Sequence, residues 1–168
     1  MGRLASRYAD LDIQARFPYT MDSELVQAAS VNGIPFPGED FLNVQDKVFE
    51  VHRMIPRVYG LGTTGLIVSP QPDMELLMGL VLVAMTLQGF NQQVNKSPTR
   101  LGTLVKGSAE RTWEFADPLY LPNGRGLQVF VNTTAFPVAA PFDAAVTQLL
   151  IAITFEGFLI QTAPPRGV

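Results

Sequence analysis

The chain has no cysteine and only one histidine, His52, and these two scarcities limit its chemistry. Without cysteine there is no disulfide, no thiolate metal ligand and no thiol nucleophile. A transition-metal site would have to combine one imidazole with carboxylates, which is a poor donor set. We therefore expect no metal and no cofactor, and we expect that the chain is not an enzyme.

Charge is also scarce, because only 16% of the residues are charged, against about 25% in typical soluble domains. The net charge is -3 and the pI is near 5.1, which is the wrong sign for a protein that neutralises nucleic-acid phosphates. A surface with so little charge often lies against a neighbouring protein. We expect protein partners and no nucleic acid.

Long apolar runs are missing as well. The longest uncharged apolar run is Leu76 to Leu87, whereas a membrane-spanning helix needs about 20 apolar residues. The N-terminal residues also lack the apolar core of a signal peptide. We expect neither a membrane partner nor secretion by that route.

The most informative segment present is LLIAITFEGFLI, Leu149 to Ile160, which is echoed by VLVAMTLQGF, Val81 to Phe90. Aligned on Ala152 and Ala84, the two segments share Ala, Thr, Gly and Phe. β-Branched and aromatic residues followed by a glycine are typical of a buried strand with a bulge or a bend. We predict that the two segments form the central strands of the fold. A helix over residues 73–88 remains the alternative for the first copy.

Short strand patterns recur along the rest of the chain, separated by turns rich in proline and glycine. They include a strand from Lys47 to Ile55 that is expected to end at Pro56. This spacing predicts an all-β fold, an antiparallel, jelly-roll-like β-sandwich with an extended N-terminal arm. The predicted boundaries are 1–36 for the arm, 37–163 for the sandwich and 164–168 for an extended tail.

The arm is the candidate partner-binding segment, because it combines guanidinium groups with aromatic rings and has little capacity to form its own core. Residues 22–30 within it are compatible with either a short helix or a strand. Deleting residues 1–20 is expected to leave the sandwich folded. The residues predicted to bind a partner are Arg3, Arg7, Tyr8, Arg16, Phe17 and Tyr19.

Three other patterns have both a functional and a structural interpretation. Gly60 to Gly65 matches the dinucleotide pattern G-x-G-x-x-G, but that pattern must open a helix, and a short strand pattern ending at Pro70 follows here. We interpret it as a mobile loop. His52 is interpreted as a hydrogen-bonded strand residue. Trp113 lies in an alternating strand, so we assign it to the core rather than to a sugar-binding platform.

Several segments together resemble the β-sandwich decoration proteins of tailed bacteriophage heads, also called cement or auxiliary head proteins. The matching segments lie within residues 41–161: Asp117-Pro118-Leu119, Leu121-Pro122-Asn123-Gly124, Leu127 to Thr133 and Gly157-Phe158. The resemblance implies a structural virion protein on the capsid surface, assembled in the host cytoplasm. Its implied partners are the major capsid protein and further copies of itself, as a homotrimer.

Other functions fit the same fold class. A tail, fibre or minor capsid jelly-roll module would keep the fold and change the partner. A carbohydrate-binding β-sandwich would require exposed aromatic rings on one sheet face.

Overall fold

In the computed structural model, two antiparallel sheets enclose one hydrophobic core. The structure describes residues 13–28, 34–35, 47–67, 74–87, 92–95, 97–105, 111–122, 126–133 and 146–162. Within these ranges the strands are β1 (Ile13–Ala28), β2 (Ile34–Pro35), β3 (Lys47–Leu61), β4 (Val81–Leu87), β5 (Gln92–Gln93), β6 (Thr99–Arg100), β7 (Trp113–Pro122), β8 (Leu127–Thr133) and β9 (Gln148–Thr162). The helices are α1 (Met74–Leu80) and α2 (Leu101–Leu104). The prediction of an all-β sandwich is confirmed.

The strand order is β1-β9-β3-β7 in the first sheet and β2-β8-β4-β5 in the second, where β6 also pairs with β4. The pairs β1–β9, β2–β8, β3–β7 and β4–β5 are nested, so the earliest strand pairs with the latest. Leu149 to Ile160 lies within β9, and Val81 to Leu87 of its echo form β4, while residues 88–90 lie outside the described residues. Each of the two strands lies in the interior of its sheet. The prediction of two central strands is confirmed.

The core-facing residues alternate along both central strands. From Leu149 to Phe155 in β9 the buried residues are Leu149, Ile151, Ile153 and Phe155, and β4 alternates buried and half-buried residues along its whole length. One face of each strand is therefore removed from water, which stabilises the fold by about 25 cal/mol per Å² of apolar surface. Phe158 is only half-buried, so the Gly-Phe pair at the end of β9 does not place its ring in the core.

A β-bulge interrupts β3 at His52, because Val51 pairs with Gly157 of β9 while Arg53 pairs with Glu156. The extra residue changes which positions face the core. Phe49 and Val51 are buried before the bulge, and the even-numbered residues Met54, Pro56 and Val58 are buried after it. A bulge was predicted near Gly157 of β9. A bulge is present there, but its extra residue, His52, lies on the neighbouring strand β3.

The predicted arm needs correction over residues 13–28, because this segment is β1, a 16-residue strand paired with β9 along its length. Its strand conformation also excludes the helix considered for residues 22–28. Pairing to β9 satisfies one side of the backbone and places Met21 in the core, so β1 belongs to the sheet. Deleting residues 1–20 would remove half of it. The tail 164–168 lies outside the described residues.

Two further expectations need correction. The alternative of a helix over residues 73–88 holds only as far as Leu80, where α1 ends and β4 follows; Leu and Met favour helix, and Leu77 and Met78 pack in the core. β3 also continues through Pro56 to Leu61. Proline is tolerated there because the β3–β7 ladder ends at Met54, which leaves one side of β3 without that partner.

Candidate functional site

The outer face of the first sheet, turned away from the core, carries a buried carboxylate. Glu50 points away from the core because its neighbours Phe49 and Val51 point into it, yet its side chain is only 3% exposed. It lies opposite Phe158 on β9 and opposite Tyr120 on β7. Burying a carboxylate is costly unless charged or hydrogen-bonding groups surround it, so its neighbours define the site.

Three side chains from three strands contact the Glu50 carboxylate. Arg16 Nη2 of β1 is 3.3 Å from Oε2, and this ion pair spans β9, which separates β1 from β3. His52 Nε2 is 3.2 Å from Oε1, at ion-pair distance but without hydrogen-bond geometry. Tyr120 donates its hydroxyl to Oε1 at 3.4 Å. The carboxylate thereby links the edge strand β1 to β3 and β7.

The charges and burial in this cluster change the pKa of Tyr120. Burial raises the pKa of the Tyr120 hydroxyl above its ordinary value of 10.0, and the charge of Glu50 and the hydrogen bond to it act in the same direction. Arg16 acts in the opposite direction. Tyr120 is therefore held in its neutral, hydrogen-bonding form.

An open cleft of about 490 Å³ adjoins His52 on this face. The Arg53–Glu156 ion pair contributes to its wall, and the His52 ring meets the Phe158 ring edge-on, with centroids 5.5 Å apart. Its lining comes from β1, β3 and β9: Pro18, Tyr19, Thr20, His52, Arg53, Glu156, Gly157 and Phe158. The His52 imidazole here lies near the Glu50 carboxylate and the Phe158 ring.

The residues predicted to bind a partner separate into different environments. Arg16 belongs to the Glu50 cluster. Phe17 is 47% exposed, with the Lys47 ammonium 5.8 Å from its ring centroid. Tyr19 is half-buried and packs edge-on against the core residue Phe49, with centroids 5.0 Å apart. Arg3, Arg7 and Tyr8 lie outside the described residues.

The remaining residues that the sequence analysis singled out lie in a turn, against the core and on a strand. Gly62 to Ile67 forms a tight turn closed by hydrogen bonds from Gly65 N to Gly62 O and from Gly62 N to Leu66 O. No helix opens at Gly65, as a dinucleotide site would require. Trp113 packs against the core and against Phe115, in agreement with its core assignment. His52 lies on a strand as predicted, at the bulge, but its Nε2 is buried without a hydrogen-bond partner.

Within the described ranges, no cluster of three or more His, Cys, Asp or Glu side chains is arranged to hold a metal ion. The same ranges contain no helix long and apolar enough to cross a membrane. Sequence reasoning missed Glu50, since a glutamate that alternates with Phe49 and Val51 has the pattern of a solvent-facing residue.

Comparison with known proteins found no matching family model, no matching curated protein and no matching solved structure.

Proposed function

We propose that this chain is a structural virion protein of a tailed bacteriophage, a decoration protein that binds the lattice of the major capsid protein and stabilises the head. The observation that carries the proposal is the nested pairing of β1 with β9, β2 with β8, β3 with β7 and β4 with β5. We interpret this order as that of a jelly roll, a sandwich used by viral capsid proteins, lectins and cupins. The sequence resemblance to decoration proteins points to the first of these uses.

The two other uses of the fold have less support. A sugar-binding module needs an exposed aromatic platform, and Trp113 and Phe115 are packed against the core instead. A cupin-like enzyme normally binds its metal through several histidines, and this sequence has one. A structural role requires no active site.

Among the described residues, the turn from Gly62 to Ile67 is the surface best suited to contact a capsid. Leu66 and Ile67 are 68% and 56% exposed, and no other large hydrophobic side chain in the described part of the chain is more exposed. Two backbone hydrogen bonds hold the turn, and Gly65 adopts φ 76°. A preorganised apolar tip loses little conformational entropy when it enters a pocket on a partner. Arg3, Arg7 and Tyr8 remain proposed anchors.

The test is an occupancy measurement on heads that lack the chain. Purified protein is added, the heads are sedimented, and bound copies are counted against capsid protein. Replacing Leu66 and Ile67 by serine should weaken binding about tenfold or more, as expected for buried apolar contacts. The matched control is Phe130→Ser, which removes an exposed apolar side chain on β8. Failure of the wild-type chain to bind any head would contradict the proposal.

A minor capsid jelly roll is a second candidate, because jelly rolls also form capsid walls. A minor capsid protein would lie within the shell wall, whereas a decoration protein lies on top of it. A decoration protein can be removed from an intact shell and added back, whereas a wall component cannot. Re-addition to preformed shells therefore separates the two functions.

A further inference from the structure

The outer edge of β1 is the most extensive open edge in the described part of the fold. β1 is 16 residues long and lies at the end of the first sheet, with β9 on one side and no described strand on the other. An edge strand presents backbone donors and acceptors to any strand that can align with it. β7, at the opposite end of the same sheet, has 10 residues.

β1 carries exposed apolar side chains in addition to its charges and its proline. Ile13, Phe17 and Val26 are 38%, 47% and 53% exposed, and they are half of the large exposed hydrophobic residues in the described ranges. Proteins normally block such edges with charges and prolines. Pro18 removes one backbone donor from β1.

The charges of β1 are separated by sign along the strand. Arg16 lies in its first half, and Asp22 and Glu24 lie in its second half; all three are exposed. Their even numbering places them on one face of the strand, opposite the face that buries Met21 and Ser23. A parallel copy would bring like charges together, whereas an antiparallel copy brings opposite charges together at both ends.

We infer that β1 pairs antiparallel with β1 of a second copy of this chain, joining the two four-stranded sheets into one continuous sheet. The alignment that places each Arg16 opposite the Glu24 of the other copy also places Pro18 opposite Asp22. Thr20 then lies opposite itself on the twofold axis. Arg16 can form ion pairs with both Glu50 and Glu24, since it makes no hydrogen bond to Glu50 Oε2 and its side chain is 49% exposed.

This contact is self-complementary and closes at two copies. The sequence resemblance implies a trimer, whereas this contact gives a dimer. The mass of the oligomer in solution distinguishes the two. The inference does not depend on the proposed virion role, because it rests only on the edge, exposure and charges of β1.

A single introduced cysteine tests the alignment, since the chain contains no other. Thr20→Cys should give a covalent dimer under mild oxidation or with a short bis-maleimide, because the two side chains face each other across the axis. Thr63→Cys, in the exposed turn after β3, is the matched control and should stay monomeric on a denaturing gel. Equal cross-linking of the two variants, or none at Thr20→Cys, would overturn the inference.

Sedimentation equilibrium supplies a second measurement that does not depend on disulfide geometry. The wild-type chain should be a dimer at micromolar concentration, and Glu24→Lys should raise the dimer Kd by about tenfold or more, because it places like charges opposite each other. Glu114→Lys makes the same change at an exposed position on β7 and should leave the Kd unchanged. A wild-type monomer would overturn the pairing, and so would a trimer.

Discussion

Gly157 of β9 approaches the backbone of Glu50 more closely than any residue with a side chain could. A Cβ at position 157 would overlap the Glu50 carbonyl group, lying 2.9 Å from its carbon, and would be 3.0 Å from the Cα of Val51. The obstructing atoms are backbone, so a rotamer change cannot relieve the overlap. This contact lies beside the bulge at His52 in β3.

Gly157→Ala should therefore destabilise the fold by about 3 kcal/mol or more, at or above the upper end for overpacking a sheet interior. Urea unfolding monitored by tryptophan fluorescence measures this. Gly79→Ala is the control, since nothing lies within 4 Å of the added Cβ and alanine favours helix at that position of α1. Equal stability of the two variants would contradict the close contact.

Two phenylalanines of β9 should respond differently to truncation. Phe155 is 1% exposed in the core, so Phe155→Ala should cost about 3–5 kcal/mol. Phe158 is half-buried on the outer face and contacts the His52 ring, so Phe158→Ala should cost clearly less. Thermal unfolding of both variants measures the difference. A larger loss at Phe158 would mean that the assigned faces of β9 are reversed.

The Arg16–Glu50 pair should show energetic coupling between β1 and β3. Arg16→Met leaves Glu50 buried with one fewer cation and should cost about 1–3 kcal/mol. Adding Glu50→Gln removes the charge that Arg16 compensates, so the double variant should lose less than the sum of the two single variants. Urea unfolding of all four proteins completes the cycle. Strict additivity would show that the pair contributes no interaction.

The raised pKa of Tyr120 predicts that the protein loses stability at alkaline pH. Its raised pKa means that the folded state keeps the proton at pH values where the unfolded chain has released it. Stability from this group is therefore fully present below about pH 10 and falls as the pH rises through the folded pKa. Tyr120→Phe should remove this component. The measurement is the difference between wild-type and Tyr120→Phe unfolding free energies across that range; a pH-independent difference would contradict the assignment.

The all-β fold and its two central strands could be predicted because their signals are local. Leu149 to Ile160 alternates and is rich in β-branched residues, and its echo shares the same glycine and phenylalanine. The structure of the apolar residues just before that echo is harder to predict, because an uncharged apolar run is compatible with both a helix and a buried strand. Leu77 and Met78 pack in the core from a helix, which only the tertiary arrangement decides.

The candidate site and the role of β1 depend on contacts that are distant in sequence. Met21 pairs with Phe155, and Glu50 meets Tyr120, so no window of local sequence contains both partners of either contact. The bulge at His52 also reverses the face on which later residues of β3 lie. A pattern that assumes strict alternation therefore fails on one side of it.

The central proposal, that this all-β chain is a structural component of the phage head surface, is tested most directly by a cryo-electron microscopy map of purified virions. The account predicts density for the two sheets at repeated positions on the outside of the capsid lattice, with the Leu66–Ile67 tip directed at the major capsid protein. Virions that contain no copy of the chain, or density confined to the tail, would contradict it.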